Sequence, residues 1–147
     1  MRNVSIGNAR VSGLCIGGNP FSGFSHQSPE RTKEMLDYFT PERIKETLHT
    51  AEEAGINTFF GRTDDHIFGI LRDYWKEGGK IQWFAQICVE RGKPDVWRDW
   101  LQGAVDLGAA GAYIHGGVVD MWHAQEQFDN FTEALDRMRK GNVAAGF

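Results

Sequence analysis

The sequence predicts an α/β protein in which strand–helix units build a parallel sheet with helical cover. Three observations predict it. Short β-prone runs alternate with segments whose apolar residues recur at helical spacing. Gly55, Gly78, Gly108 and Gly141 stop the helical segments at intervals close to one strand–helix unit. Parallel neighbours need crossovers, so this alternation lays helices over a parallel sheet.

The elements follow in order. Residues 2–10 read as a small hairpin, with Gly7 and Asn8 as its turn. Segment 11–16 is the first expected strand of the sheet. Gly17, Gly18, Asn19 and Pro20 then open a long loop rather than a helix, so they fail the dinucleotide-binding fingerprint. Thr40, Pro41 and Glu42 form a start signal: a hydroxyl cap, proline at the first helical position and an acid in the first turn. Ile44, Leu48, Ala51 and Ala54 continue that helix as one apolar face, and a strand over 56–60 follows. A helix over about 65–76 points Ile67, Phe68, Leu71 and Trp75 inward. A strand is expected over 80–88. Pro94 and Asp95 open the next helix, with Trp97, Trp100, Leu101, Ala104 and Val105 as its buried stripe. The next strand covers 112–115. Asp129 or Asn130 caps a helix carrying Phe131, Leu135 and Met138, and Arg137, Arg139 and Lys140 suit its last turn. A fifth strand begins at 142–147.

Composition narrows the function classes. The 147 residues fit one domain, and 41% hydrophobic with 24% charged residues is ordinary for a globular protein. A formal net charge of −4 disfavours a nucleic-acid binder. No apolar stretch approaches the length of a membrane helix, so no membrane partner is expected. Cys15 and Cys88 are too few for a disulfide framework and read as small core residues of a reducing compartment. The N-terminal residues lack the apolar segment of a secretory signal. The expected location is the cytoplasm.

Two architectures use this alternation: the doubly wound sheet and the eight-fold barrel. With no phosphate loop after the first strand, the barrel is the expected one. The reading is a partial TIM barrel with about five strands and four helices, against the full barrel's roughly 250 residues. The chain is therefore expected to be the N-terminal portion of a (β/α)8 barrel, a fragment of a longer protein. The alternative is a genuine half-barrel that completes itself by self-association.

Segment 11–21 (VSGLCIGGNPF) resembles the opening of the aldo-keto reductase superfamily, which also begins with a small hairpin. Segment 51–59 (AEEAGINTF) is similar to that family's junction between its first helix and second strand. Ile114 and His115 resemble the end of its fourth strand, where a catalytic histidine stands. The order of elements matches over most of the chain. The resemblance implies a barrel oxidoreductase with His115 in a catalytic role and NAD(P) as a possible cofactor. It departs at the other three catalytic positions. Phe60 or Gly61 stands where the family has aspartate, the segment 65–69 (DHIFG) has no tyrosine, and Gln86 or Cys88 replaces a lysine. The family's nicotinamide-phosphate site lies later in the barrel than this chain extends.

Barrel chemistry sits at the carboxyl ends of strands, and that rule selects residues without any resemblance. Asn19 and His26 follow the first strand. Arg62, Asp64, Asp65 and His66 follow the second, Glu90 and Arg91 the third, and His115, Asp120 and His123 the fourth. His115 ends an apolar strand before Gly116 and Gly117, which permit close approach of a ligand. Imidazoles exchange protons near neutrality, so it is the first candidate for acid–base work. Glu90, Asp64 and His66 are the other catalytic candidates. One of Asp64 and Asp65 is expected to cap the next helix. Arg62 can clamp a carboxylate or phosphate, or pair with Asp64. Glu90 can be a base or a metal ligand, or pair with Arg91. Asn19, Arg62, Asp120, Trp122 and His123 are the substrate-binding candidates, Trp122 as a stacking surface for a sugar or aromatic ring. His115, Asp120 and His123 can also hold a divalent metal, although no compact metal motif is present.

Three functions are compatible. The first is an enzyme on a small oxygen-rich molecule, carbonyl or sugar-like, with His115 as acid or base. The second is an NAD(P)-dependent reductase with a rebuilt tetrad. The third is a non-catalytic binding module.

Overall fold

The computed structural model describes residues 1–90 and 93–147. Its centre is a five-stranded parallel sheet in the order β3-β4-β5-β6-β7, formed by Ile16–Gly17, Thr58–Arg62, Gln82–Ile87, Gly111–Ile114 and Ala144–Gly146. The sheet is open. A separate antiparallel hairpin pairs β1 (Asn3–Ile6) with β2 (Ala9–Ser12). Among the described residues there are six α-helices: α1 Pro29–Tyr38, α2 Pro41–Glu53, α3 Asp65–Lys76, α4 Trp97–Leu107, α5 Gly116–Ala124 and α6 Phe128–Lys140. None is long and apolar enough to cross a membrane.

Four of the six α-helices start where a side chain supplies a missing acceptor. Thr40 accepts from the backbone N–H of Arg43 at 3.4 Å, with Pro41 as the first helical residue of α2. Ser28 and Pro29 do the same for α1. Ile44, Leu48 and Ala51 bury one face of α2, as their spacing predicts. Gly108, at φ 92°, ends α4 in the left-handed region that favours glycine.

Alternation divides each strand between two environments. Phe59 of β4, Trp83, Ala85 and Ile87 of β5, and Ala112 and Ile114 of β6 join the core beneath the helices. The opposite face carries an aromatic row: Phe60 stacks on Phe84 at 4.9 Å and meets Tyr113 at 6.1 Å between ring centroids. Gly111 lies opposite Phe84 in register, and the ring covers the glycine so closely that a Cβ would fall 2.4 Å from it.

The hairpin packs at the amino ends of the strands. Asn57 Nδ2 and Gln82 Nε2 both donate to the Arg10 carbonyl, at 2.9 and 2.7 Å. Ser12 and Asn57 exchange two further hydrogen bonds. The turn at Gly7, φ 57°, sits so close to Ala144 that a Cβ would lie 2.9 Å from the alanine methyl. The opposite pole, at the carboxyl ends, is left to the loops.

Several expected boundaries move. Segment 11–16 is not one strand: Val11 and Ser12 close the hairpin, and the parallel strand is only Ile16–Gly17. The long loop contains a 3-10 turn, Asn19–Ser22, and the whole of α1. α1 has no buried residue, so the apolar periodicity that reveals a packed helix is absent. Pro94 and Asp95 precede α4 rather than opening it, and α6 starts at Phe128, with no side-chain cap from Asp129 or Asn130. The segment after the fourth expected strand is a helix, α5. It brings the helices to six where about four were expected.

Candidate functional site

A cleft of about 620 Å³ opens at the carboxyl ends of β3, β4, β5 and β6. The strands supply its floor through the residues that point away from the helices. Phe60 and Arg62 come from β4, Gln86 from β5 with Cys88 just beyond it, and Tyr113 from β6 with His115 at its end. Register aligns Arg62 with Gln86 and Gln86 with Tyr113. The loop after β3 adds a wall of Asn19, Phe24 and His26. Asn19 Nδ2 donates to His26 Nε2 at 3.2 Å, and His26 holds a φ of 54°. That left-handed conformation is uncommon outside glycine.

Arg62 is held from two sides. Its guanidinium carbon lies 4.6 Å from the centre of the Phe24 ring, a cation–π contact. Its Nε lies 3.2 Å from Asp64 Oδ2, but the angle forms no hydrogen bond, and that buried nitrogen has no partner among the described residues. The side chain remains 22% exposed.

His115 has a structural duty. It is the cap of α5: Nδ1 accepts from the Gly117 N–H at 3.1 Å. Its backbone carbonyl accepts from Val118 and Val119. The neutral ring therefore carries its proton on Nε2, which is the nitrogen left for a ligand.

Tyr113 and Cys88 lie deeper. Burial pushes the Tyr113 phenol above the usual tyrosine value, with Cys88 adding to the rise and Gln86 opposing it. Burial also raises the Cys88 thiol, only partly offset by Arg62. Near neutral pH both stay protonated. Tyr113 is a hydrogen-bond donor and Cys88 is not a thiolate.

Of the residues selected from sequence, Asn19, Arg62 and His115 line this cleft, with His26 beside them. The others do not. Asp64 caps α3: Oδ1 accepts from Ile67 N at 2.8 Å and Oδ2 from Ser22 Oγ at 3.3 Å. Its carboxylate is committed, and it backs Arg62 instead of acting as a free base. His66 is exposed in the first turn of α3, away from the cleft. Glu90 pairs with Lys93 at 3.0 Å and does not line the cleft. Arg91, its partner in the sequence reading, lies outside the described residues.

Asp120, Trp122 and His123 move because α5 is a helix. Val118 and Trp122, four apart, turn to the core, while Asp120 and His123 face outward. Trp122 is 1% exposed and packs edge-on against Trp97 and Phe131, at 5.0 and 5.3 Å, so it offers no stacking surface. Among the described residues no three His, Cys, Asp or Glu side chains gather as metal ligands, so His115, Asp120 and His123 do not form that set.

Gln86, Cys88, Tyr113, Phe60 and Phe24 were not selected from sequence. Alternation was the available signal for two of them. Tyr113 lies two residues before His115 and Phe60 two before Arg62, in step along the strand direction. Phe24 had no such signal, because a loop has no period.

The class defined by this arrangement is an α/β protein with a polar cleft at the carboxyl ends of a parallel sheet. Comparison with protein-family models, curated proteins and solved structures gives no match for this chain.

Proposed function

We propose that the chain is the N-terminal portion of a (β/α)8-type enzyme, aldo-keto reductase-like in layout, acting on a small oxygen-rich metabolite. One observation carries the reading: His115, whose Nδ1 is used by the cap, lines a cleft shared with Arg62, Asn19, Gln86 and Tyr113 at the strand ends. Chemistry in barrels occurs at that pole. The strand order and the hairpin at the opposite pole support the layout.

In this reading His115 acts from Nε2–H as the acid that polarises a substrate carbonyl oxygen. The Gly117 N–H fixes the ring and its tautomer. Tyr113, kept protonated by burial, donates a second hydrogen bond from the floor. Asn19 and Gln86 hold polar substituents. Glu90, Asp64 and His66 have no part in the step.

The test must separate chemistry from helix capping. His115→Asn keeps a side-chain acceptor of the type favoured at helix starts, but cannot exchange protons. Its expected outcome is a wild-type fold by circular dichroism with turnover reduced about 100-fold or more. Undiminished turnover of small hydroxy and carbonyl compounds by this variant overturns the assignment.

An NAD(P)-dependent reductase is the second reading, favoured by the protonated Tyr113 beside His115. The cleft has one formal cation, Arg62, and at the glycine-led start of α5 the Gly117 N–H is taken by His115, so the described residues fit a pyrophosphate poorly. No step is routed through a nicotinamide. Oxidation of the reduced cofactor, followed by absorbance with aldehydes or keto sugars, would restore that reading. Ligand binding without turnover would leave a non-catalytic binding module.

A further inference from the structure

We infer that the cleft recognises a small monocarboxylate, its carboxylate set against Arg62 and its neighbouring hydroxyl or carbonyl oxygen toward His115. This rests on the proposed site and names its substrate class. The charge inventory of the cleft comes first. Among the described lining residues Arg62 is the one formal charge, with His26 and His115 as the other basic groups and no Asp or Glu. The counter-ion of Arg62 is already divided. Asp64 satisfies the start of α3 and Ser22, and it meets Arg62 at Nε without hydrogen-bond geometry. A guanidinium has five N–H donors in a fork that matches a carboxylate. The Phe24 ring, 4.6 Å from the guanidinium carbon, lowers the cost of ordering the side chain.

One cation points to a monoanion. A phosphate commonly uses several free N–H groups at a helix start, but in α5 those of Gly117, Val118 and Val119 are taken by the ring and carbonyl of His115. The strand ladder limits the substrate's size. Arg62 and Tyr113 are two strands apart in register, and His115 lies two residues further. At standard strand spacings their Cα atoms are about 12 Å apart, so both side chains reach a molecule of about three to six carbons. A neutral sugar would leave the guanidinium to Asp64 and water.

The test uses matched pairs on the wild-type protein: glycolate, lactate, glycerate, pyruvate and 2-oxobutyrate, each against its neutral amide. Glycerol 3-phosphate represents phosphates. Binding is read by titration calorimetry or NMR shifts, and turnover separately. The expected result is at least one acid bound tenfold or more tighter than its amide, with glycerol 3-phosphate weaker. Arg62→Gln is expected to erase the acid–amide difference, and Arg62→Lys to restore part of it. If every acid and amide bind alike, or the phosphate binds tightest, the inference is overturned, and neither result requires a variant to fold. Tight acid binding without turnover would retain the clamp and remove the enzyme reading. Turnover confined to neutral compounds would do the reverse.

Discussion

Residues separate by the face they occupy, and Trp122 shows what that decides. Beside His123, in a segment that reads as a rim loop, it reads as a rim aromatic. In the structure it is a core residue, wedged between Trp97 and Phe131. Trp122→Ala is expected to cost about 3–5 kcal/mol of stability, the range for a large aromatic removed from a packed core. Urea unfolding checks it, and a change below about 1 kcal/mol would return the indole to the surface. The misreading has a physical source. A nine-residue helix with one buried pair, Val118 and Trp122, gives too short a pattern to be told from a loop. His115 was legible because it ends an apolar strand. Its capping hydrogen bond was not, since that depends on a ring orientation the sequence does not express. Arg62 was legible as a cation near the rim, whereas its seat on Phe24 depends on the path of a loop.

Elements were more legible than their ends. α2, α3 and α4 follow apolar stripes, and four of the five parallel strands overlap the segments the alternation selects, while the first is reduced to Ile16–Gly17. α1 escaped because it buries nothing. The start of α3 was partly readable: Asp64 and Asp65 both looked like caps, and the structure assigns Asp64. Asp64→Ala is expected to cost about 1 kcal/mol through the lost cap, again by urea unfolding. The α4–α6 pair makes a pH-dependent prediction. Glu133 accepts from Arg98 at 2.7 and 2.8 Å and from Arg137 at 2.8 Å. These bonds hold its carboxyl below the usual glutamate value, Arg98 contributing most. A depressed folded value means the contribution is complete above the unfolded value of about 4.3 and is lost as pH falls through the folded one. Glu133→Gln is therefore expected to lower stability at pH 7 by about 1 kcal/mol. In thermal melts the difference from wild type should shrink as pH falls below about 4.3 and vanish only below the depressed folded value, where both carry a neutral side chain. A gap that persists in acid would mean that packing, not charge, sets the cost.

At the scale of the whole molecule, the sheet grades from a firm centre to thin margins. β4 and β5 share five register pairs, and β5 and β6 share four. β3 offers two residues, β7 three. The large buried aromatics Phe59, Trp83, Trp97 and Tyr74 lie in or against the central strands. Protection from local opening should follow that gradient, because opening a central strand exposes the core and opening a margin does not. Amide hydrogen exchange is expected to be slowest in β4, β5 and β6 and faster in the hairpin and β7. This matters for the cleft, since Arg62, Gln86, Tyr113 and His115 all stand on or at the ends of the three central strands. Asn19, Phe24 and His26 stand on the loop after the two-residue β3. The cleft thus has a rigid floor and a softer wall, an arrangement that fixes the polar groups while leaving the loop able to adjust to a ligand. Adding a ligand that contacts the floor should slow exchange mainly in residues 18–28, with β4–β6 unchanged. Equal slowing across the sheet would instead mean that the floor itself is ordered by binding, and the gradient argued from strand length would fail.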